Sequence, residues 1–137
     1  MASKVGIARS AVADAFTTQA YRFPPGDENV LLKYVALISV RGDQEHFVLG
    51  TGQGEILTVE GVIFNKVNGG NETESAVAED AALLVLKELE DAIISDSTLG
   101  GSGVFHCRLT DYECSVLTQD GSLIARVDFS VSVESHL

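Results

Sequence analysis

Basic residues are scarce in this chain. It carries 9 Lys and Arg against 20 Asp and Glu, a formal net charge of −11. A surface that grips nucleic acid needs positive charge to displace counterions from the phosphates, so this balance argues against binding of free nucleic acid. It is compatible with a surface past which nucleic acid slides without sticking, because like charges repel. Long apolar runs are also missing. The longest, Ala81–Leu86, is far too short to cross a bilayer, so no membrane contact is expected. Met1-Ala2-Ser3-Lys4 leads into a helical pattern and lacks the apolar centre of an export signal, which gives a cytoplasm as the expected compartment. Only two cysteines occur, Cys107 and Cys114. With no partner ligands close in sequence they make no zinc site, and in a reducing compartment they are expected to be free thiols, partly buried.

What is present suits a folded unit. A length of 137 residues fits one domain over 1–137, and 45% hydrophobic with 21% charged residues is ordinary for a packed core. Val5, Ala8, Val12 and Phe16 recur at helical spacing, which predicts a helix over about 4–18 with Ser3 as N-cap. Phe23-Pro24-Pro25-Gly26-Asp27 then breaks the pattern. The apolar run at 30–41 reads as a strand buried on both faces, Val35 and Leu37 on one side, Ala36, Ile38 and Val40 on the other. Gly42-Asp43-Gln44 reads as a turn and Glu45–Leu49 as a short strand. Residues 55–67 alternate, with Leu57, Val59 and Ile63 on one face and Ile56, Val62 and Phe64 on the other; Gly61 inside them signals a bulge or a close backbone approach. A long helix over about 72–95 follows, its apolar face built from Ala82, Val85, Leu86, Leu89 and Ile93 and widened by Leu83, Leu84 and Ile94. Asn71 and Glu74 have capping-box spacing. Three β segments close the chain. Phe105, Cys107 and Leu109 alternate in the first, and Tyr112, Cys114 and Val116 in the second. Leu123, Ala125, Val127, Phe129, Val131 and Val133 share one face of the third. A two-residue turn at Thr110-Asp111 would set Cys107 opposite Cys114, and Asp120-Gly121 is a strong hairpin signal. The expected fold is α+β, a mixed, mostly antiparallel sheet with two main helices on one face.

Catalytic patterns are thin. Gly50, Gly52 and Gly54 lack the Gly-Lys-Ser/Thr step of a phosphate loop, and Glu55 leads into a strand instead of a helix. His106 and Cys107 are adjacent on a strand, so their side chains diverge and cannot act as a base–nucleophile pair. Asp111 and Glu113 can share a face as acid and base, although a solvated turn in an acidic chain gives the same pattern. No catalytic residue, cofactor site or metal site is assigned, and the expected role is structural. The glycine-rich segments are the candidate docking loops, Gly50, Thr51, Gly52, Gln53 and Gly54 in one and Leu99, Gly100, Gly101, Ser102 and Gly103 in the other. Contact residues concentrate on loops held by a rigid scaffold.

The second half carries a resemblance. A long acidic-capped helix ends in Ser95-Asp96-Ser97-Thr98-Leu99-Gly100-Gly101, short strands follow, then Asp120-Gly121 and a last strand ending Val127-Asp128-Phe129-Ser130-Val131-Ser132-Val133. Upstream lie a Leu49-Gly50 step before Glu55–Phe64 and a helix around Ile7–Phe16. In the order of these elements the chain resembles the tail terminator (tail-completion, minor tail) family of long-tailed bacteriophages. The resemblance implies a virion protein at the head–tail junction, assembled in a bacterial cytoplasm. It implies a hexameric ring that caps the tail tube, stops its elongation and joins it to the head. The implied partners are further copies of the chain, the tail-tube protein and the head–tail connector or adaptor, with DNA only as passing cargo. Two other classes stay open: another connector or tail-tube component of a phage-like particle, and a small enzymatic or ligand-binding domain using Asp111, Glu113 or His106.

Overall fold

A computed structural model describes residues 4–21, 33–43, 54–68, 72–96, 99, 104–119 and 122–136, and the structural statements below refer to these. Seven elements follow in chain order: α1 (Lys4–Asp14), β1 (Ala20–Tyr21), β2 (Lys33–Asp43), β3 (Gly54–Asn68), α2 (Glu72–Ser95), β4 (Val104–Gln119) and β5 (Ser122–His136). The five strands form one sheet in the order β1-β2-β3-β5-β4. Every pairing is antiparallel except β1 with β2, which is parallel. The expected α+β class and mixed, mostly antiparallel sheet are therefore observed. β3 and β4 run in the same direction with β5 between them, and α2 makes the crossover that joins them.

Period-2 alternation decides which face is covered. Leu57, Val59 and Ile63 of β3 and Leu123, Ala125, Val127, Phe129, Val131 and Val133 of β5 are all buried on the face that meets the helices. Against them pack Ala8, Val12 and Phe16 from the α1 region and Ala78, Ala82, Val85, Leu86 and Leu89 from α2. Both helices thus lie on one face of the sheet. Each fully buried large aliphatic side chain here contributes about 1.5–3 kcal/mol.

Asn65 is the polar member of this face. It is buried, and its Nδ2 donates to the Ala78 carbonyl of α2 at 3.1 Å. Gly61 fits the expectation of a close backbone approach, since a Cβ there would lie 2.6 Å from Phe129 Cζ and 3.0 Å from Leu37 Cδ2. The bulge lies beside it, in β2, where Leu37 pairs with Gly61 and Ser39 with Glu60, leaving Ile38 over.

Several expectations need correction. α1 stops at Asp14, so Phe16 joins the core from the turn after the helix and not from its stripe. β2 is buried on both faces only at its start: Val35, Ala36 and Leu37 are buried, but Ile38, left over by the bulge, is 45% exposed, and the bulge turns Val40 from the face expected with Ala36 to the helix side, opposite Val59. Gly42 and Asp43 belong to β2, where they pair with Leu57 and Ile56. Residues 44–53, including the strand expected at Glu45–Leu49, lie outside the described residues, as does Asn71 of the capping pattern. The wide apolar face of α2 divides: Leu83 and Ile93 pack on the core, whereas Leu84 and Ile94 are 65% and 82% exposed.

The hairpin expected at Thr110-Asp111 is absent. Residues 104–119 form one continuous strand, and Thr110 is the extra residue of a bulge between Leu109 and Asp111. Thr110 Oγ1 donates to the Ser130 carbonyl at 3.1 Å, so the hydroxyl uses a ladder acceptor where the bulge breaks the register. The bulge shifts the alternation by one, which puts Cys107, Leu109, Cys114 and Val116 on the same face. The two cysteines share that face as expected, but along one strand: Cys107 stands opposite Val133 and Cys114 opposite Val127, and both are free. Gln119 pairs with Ser122, and the Asp120-Gly121 turn expected between them lies outside the described residues.

Burial, with the nearby charge of Asp96, pushes the Cys107 thiol up to about 11. Burial and the charge of Glu79 also raise Cys114. Thiolates are the reactive species, so native Cys107 should stay unlabelled by Ellman's reagent at pH 8 and react fully once the protein is unfolded. Rapid labelling of both thiols in the native protein would contradict this packing.

Candidate functional site

The helix-free face of the sheet is where side chains converge without an internal partner layer. It presents Tyr34, Phe64, Arg126 and Asp128 across β2, β3 and β5. Tyr34 and Phe64 pair directly, with ring centroids 5.2 Å apart, and Tyr21 of β1 meets Tyr34 edge-on at 5.7 Å. The Arg126 guanidinium lies 5.6 Å from the centre of the Phe64 ring. Its Nη2 and Nε donate to Asp128 Oδ1 at 2.8 and 3.0 Å. Both side chains of that pair are about two-fifths exposed, so it stabilises by less than about 1 kcal/mol and chiefly orients the guanidinium.

Beside this ladder the face hollows into an open concavity of about 360 Å³. Its lining includes Ile38, Glu60, Val62, Asp111, Glu113, Arg126 and Asp128. Asp111 and Glu113 reach the same face because Thr110 bulges, and they stand opposite Ser130 and Asp128. Ser39 donates to Glu60 at 3.2 Å on the opposite side of the hollow. Four carboxylates against one guanidinium make this patch acidic. His106 lies on the same face but further along β4, opposite Glu134, and does not line the hollow. Cys107 points to the other face and is fully buried, so the His106-Cys107 pair diverges as strand geometry requires. Among the described residues no group of three or more His, Cys, Asp or Glu is placed to hold a metal ion, and no helix is long and apolar enough to cross a membrane.

The sheet edges are the second feature. β4 has 16 residues, and among the described residues no strand pairs with its outer side. At the other edge β1 pairs with β2 only at Val35 and Ala36, leaving the outer side of 37–43 without a described partner strand. A long strand edge offers a row of main-chain donors and acceptors to any incoming strand.

The turn that leads into β1 is tied to α2 by one carboxylate. Glu88 of α2 accepts from the Thr17 and Thr18 amides at 3.0 and 2.9 Å and from Thr18 Oγ1 at 3.0 Å. Burial pushes this carboxyl up, but the hydrogen bonds from Thr18 and Thr17 together outweigh it and hold Glu88 below the usual carboxylate range. A depressed folded value means that the stabilisation is present at neutral pH and is lost as pH falls through that value. Glu88→Ala should therefore destabilise the fold by about 1–2 kcal/mol at pH 7, and the gap from wild type in urea unfolding should narrow in acid. A gap that is unchanged or wider in acid would refute the clamp.

Of the ten candidate loop residues, two are described. Gly54 opens β3 and pairs with His136. Leu99 follows α2 with φ 51°, donates its amide to the Asp96 carbonyl at 2.9 Å and packs partly buried against the core. Gly50, Thr51, Gly52 and Gln53, and Gly100, Gly101, Ser102 and Gly103, lie outside the described residues. Sequence reasoning missed the aromatic–arginine ladder and the Glu88 clamp. The ladder joins residues of four strands whose register no local pattern reveals. The clamp joins positions some seventy residues apart.

No family model matches this sequence, and no curated protein sequence does. The fold does have a likeness among solved structures. It is similar to a chain of "Virion of native gene transfer agent (GTA) particle", at 14% identity and TM-score 0.52, over 92% of this chain and 84% of that one. At that identity the likeness speaks for the fold.

Proposed function

We propose that the protein is a structural component of a phage-like particle, a tail terminator that closes into a ring, caps the tail tube and presents a surface to the head connector. The observation that carries this reading is that, among the described residues, the outer side of β4 and that of β2 beyond Ala36 have no partner strand. β2 and β4 run in opposite directions, so copies related by rotation about one axis bring β4 of one against β2 of the next in antiparallel register. Such a head-to-tail contact closes into a ring when the rotation divides the circle, and six copies are the number the family resemblance implies. The bulges at Ile38 and Thr110 favour the curvature that closure needs. The likeness in fold to a chain of a gene transfer agent virion supports a virion role. The helix-free face would then line the channel, where Glu60, Asp111, Glu113 and Asp128 repel passing DNA. The segments Gly50–Gly54 and Leu99–Gly103 are the proposed contacts to tube and connector.

Two measurements test the reading. Light scattering across concentration, with negative-stain images of the protein alone and on tails, should show closed rings of six. Finding no ring in either setting refutes it, and open tubes of indefinite length would reassign the chain to the tube itself. Gly100→Pro with Gly101→Ala should leave the circular dichroism spectrum intact but yield tails unjoined to heads or of uncontrolled length. Normal particles from that folded variant would remove these loops from the docking surface.

A further inference from the structure

The outer side of β2 at Val35 and Ala36 is occupied by the chain's own β1, on the side where a second copy's β4 would pair. β1 has two residues, and its approach to β2 is marked by the Val35 amide donating to the Gln19 carbonyl at 2.9 Å. So short a strand gains little from its own ladder. Its position depends on what precedes it, where Glu88 takes three hydrogen bonds from Thr17 and Thr18. Beyond Ala36 the same side of β2 has no described partner strand through Asp43. A 16-residue β4 can run along the 11 residues of β2 only if β1 gives way.

We infer that β1 is a removable guard on the β2 edge, latched by Glu88, and that its release opens the full length of β2 to β4 of a second copy of this chain. This rests on the edge-to-edge reading above and adds to it a barrier to premature assembly. Natural sheets commonly blunt an exposed edge against unwanted pairing. Here the blunting element can be reversible: its own ladder is short, it adds only the Tyr21–Tyr34 ring contact and the partly buried Ala20, and the turn before it is tied by three hydrogen bonds to one partly exposed carboxylate. When only a fraction of molecules has the edge open, apparent affinity falls by that fraction, and loosening the latch restores it.

The test compares three forms of the full chain at neutral pH by sedimentation velocity across concentration. They are wild type, Glu88→Ala, and a lock in which Tyr21→Cys and Ala36→Cys, which are register partners, are joined by a disulfide. Hydrogen exchange then reads residues 33–43 and 104–119 in the assembled and monomeric states. Glu88→Ala should lower the concentration for half-assembly by about tenfold, the equivalent of roughly 1.4 kcal/mol of latch. The oxidised lock should raise it at least as far, and reduction should reverse the change. If Glu88→Ala does not fold, the lock carries the test, since it leaves Glu88 intact. Wild type that assembles with both strands newly protected, while neither variant shifts the midpoint, overturns the guard and leaves edge pairing standing. Assembly without protection of those strands, or none in any form, overturns edge pairing and the guard with it.

Discussion

Replacing Phe129 by Ala is expected to remove about 4 kcal/mol of stability. Phe129 sits in the middle of β5, an interior strand paired on both sides by β3 and β4, and is 2% exposed. Its ring packs 5.8 Å from that of Phe16, which enters the core from the turn after α1. On its other side it fills the space above Gly61, which has no side chain of its own. Truncation therefore empties a volume bordered by a rigid sheet and by a ring whose partner is gone. Neither border can collapse far, so the cavity persists and adds to the lost transfer energy. Leu89→Ala should fall in the same range, about 2–5 kcal/mol, because that side chain is fully buried between α2 and the sheet. Urea unfolding followed by circular dichroism measures both. Midpoints unchanged for both variants would mean that the buried face has been misplaced.

The second large effect comes from adding one carbon. Gly61→Ala should destabilise by about 3 kcal/mol, at the upper end for overpacking. The new methyl would meet Phe129 Cζ at 2.6 Å, Phe129 Cε1 at 3.0 Å and Leu37 Cδ2 at 3.0 Å. The Phe129 ring is 2% exposed and packs along its flank against Phe16, so it can yield to the methyl only by disturbing the core around it. Leu37 is fully buried and cannot retreat to solvent. The diagnostic result is coupling. Phe129→Leu shortens the obstacle, so Gly61→Ala in that background should cost much less than it does alone. Strict additivity would show that the glycine serves backbone conformation and not the close approach of the ring.

Much of this architecture was legible because strands of period 2 and a helix of period 3.6 declare their buried faces. β5 alternates through Leu123, Ala125, Val127, Phe129, Val131 and Val133, and those residues are the buried ones. α2 begins and ends at Glu72 and Ser95, as its pattern indicated. Gly61 was readable as a tight spot because a glycine inside a strand has few other uses. Thr110-Asp111 was misread because a bulge and a two-residue turn both interrupt alternation by shifting its phase. Only the partner strand distinguishes them, by running on past the interruption. Ile38 misled for a similar reason, since an unbroken apolar run hides the bulge that leaves Ile38 without a partner and turns Val40 to the other face. The surface was less legible still. The hollow on the helix-free face draws Glu60 from β3, Asp111 and Glu113 from β4, and Asp128 from β5. Asp111 and Glu113 stood out as a possible carboxylate pair, but their neighbours from β3 and β5 depend on long-range register. The outward face of α2, with Val77, Leu84 and Ile94 exposed, shows that apolar width alone does not measure burial.

The position of β5 has a consequence for how the chain is made. The last of the five strands in sequence lies between the third and the fourth. On a ribosome delivering about 5–20 residues per second, β3 therefore waits with one edge bare while α2 and β4 emerge. The β2–β3 hairpin can close early from local contacts, but the core face has no floor beneath α2 until β5 inserts. Pairing β5 with both neighbours must follow closure of the long loop through α2, a distant contact of the kind that slows folding. A chain interrupted before β5 would display the unpaired edge of the central strand β3 instead of an outer one. The completed sheet, in contrast, keeps its sticky surfaces at the periphery, so that competence to associate arises only after synthesis of the strand that unites its two halves.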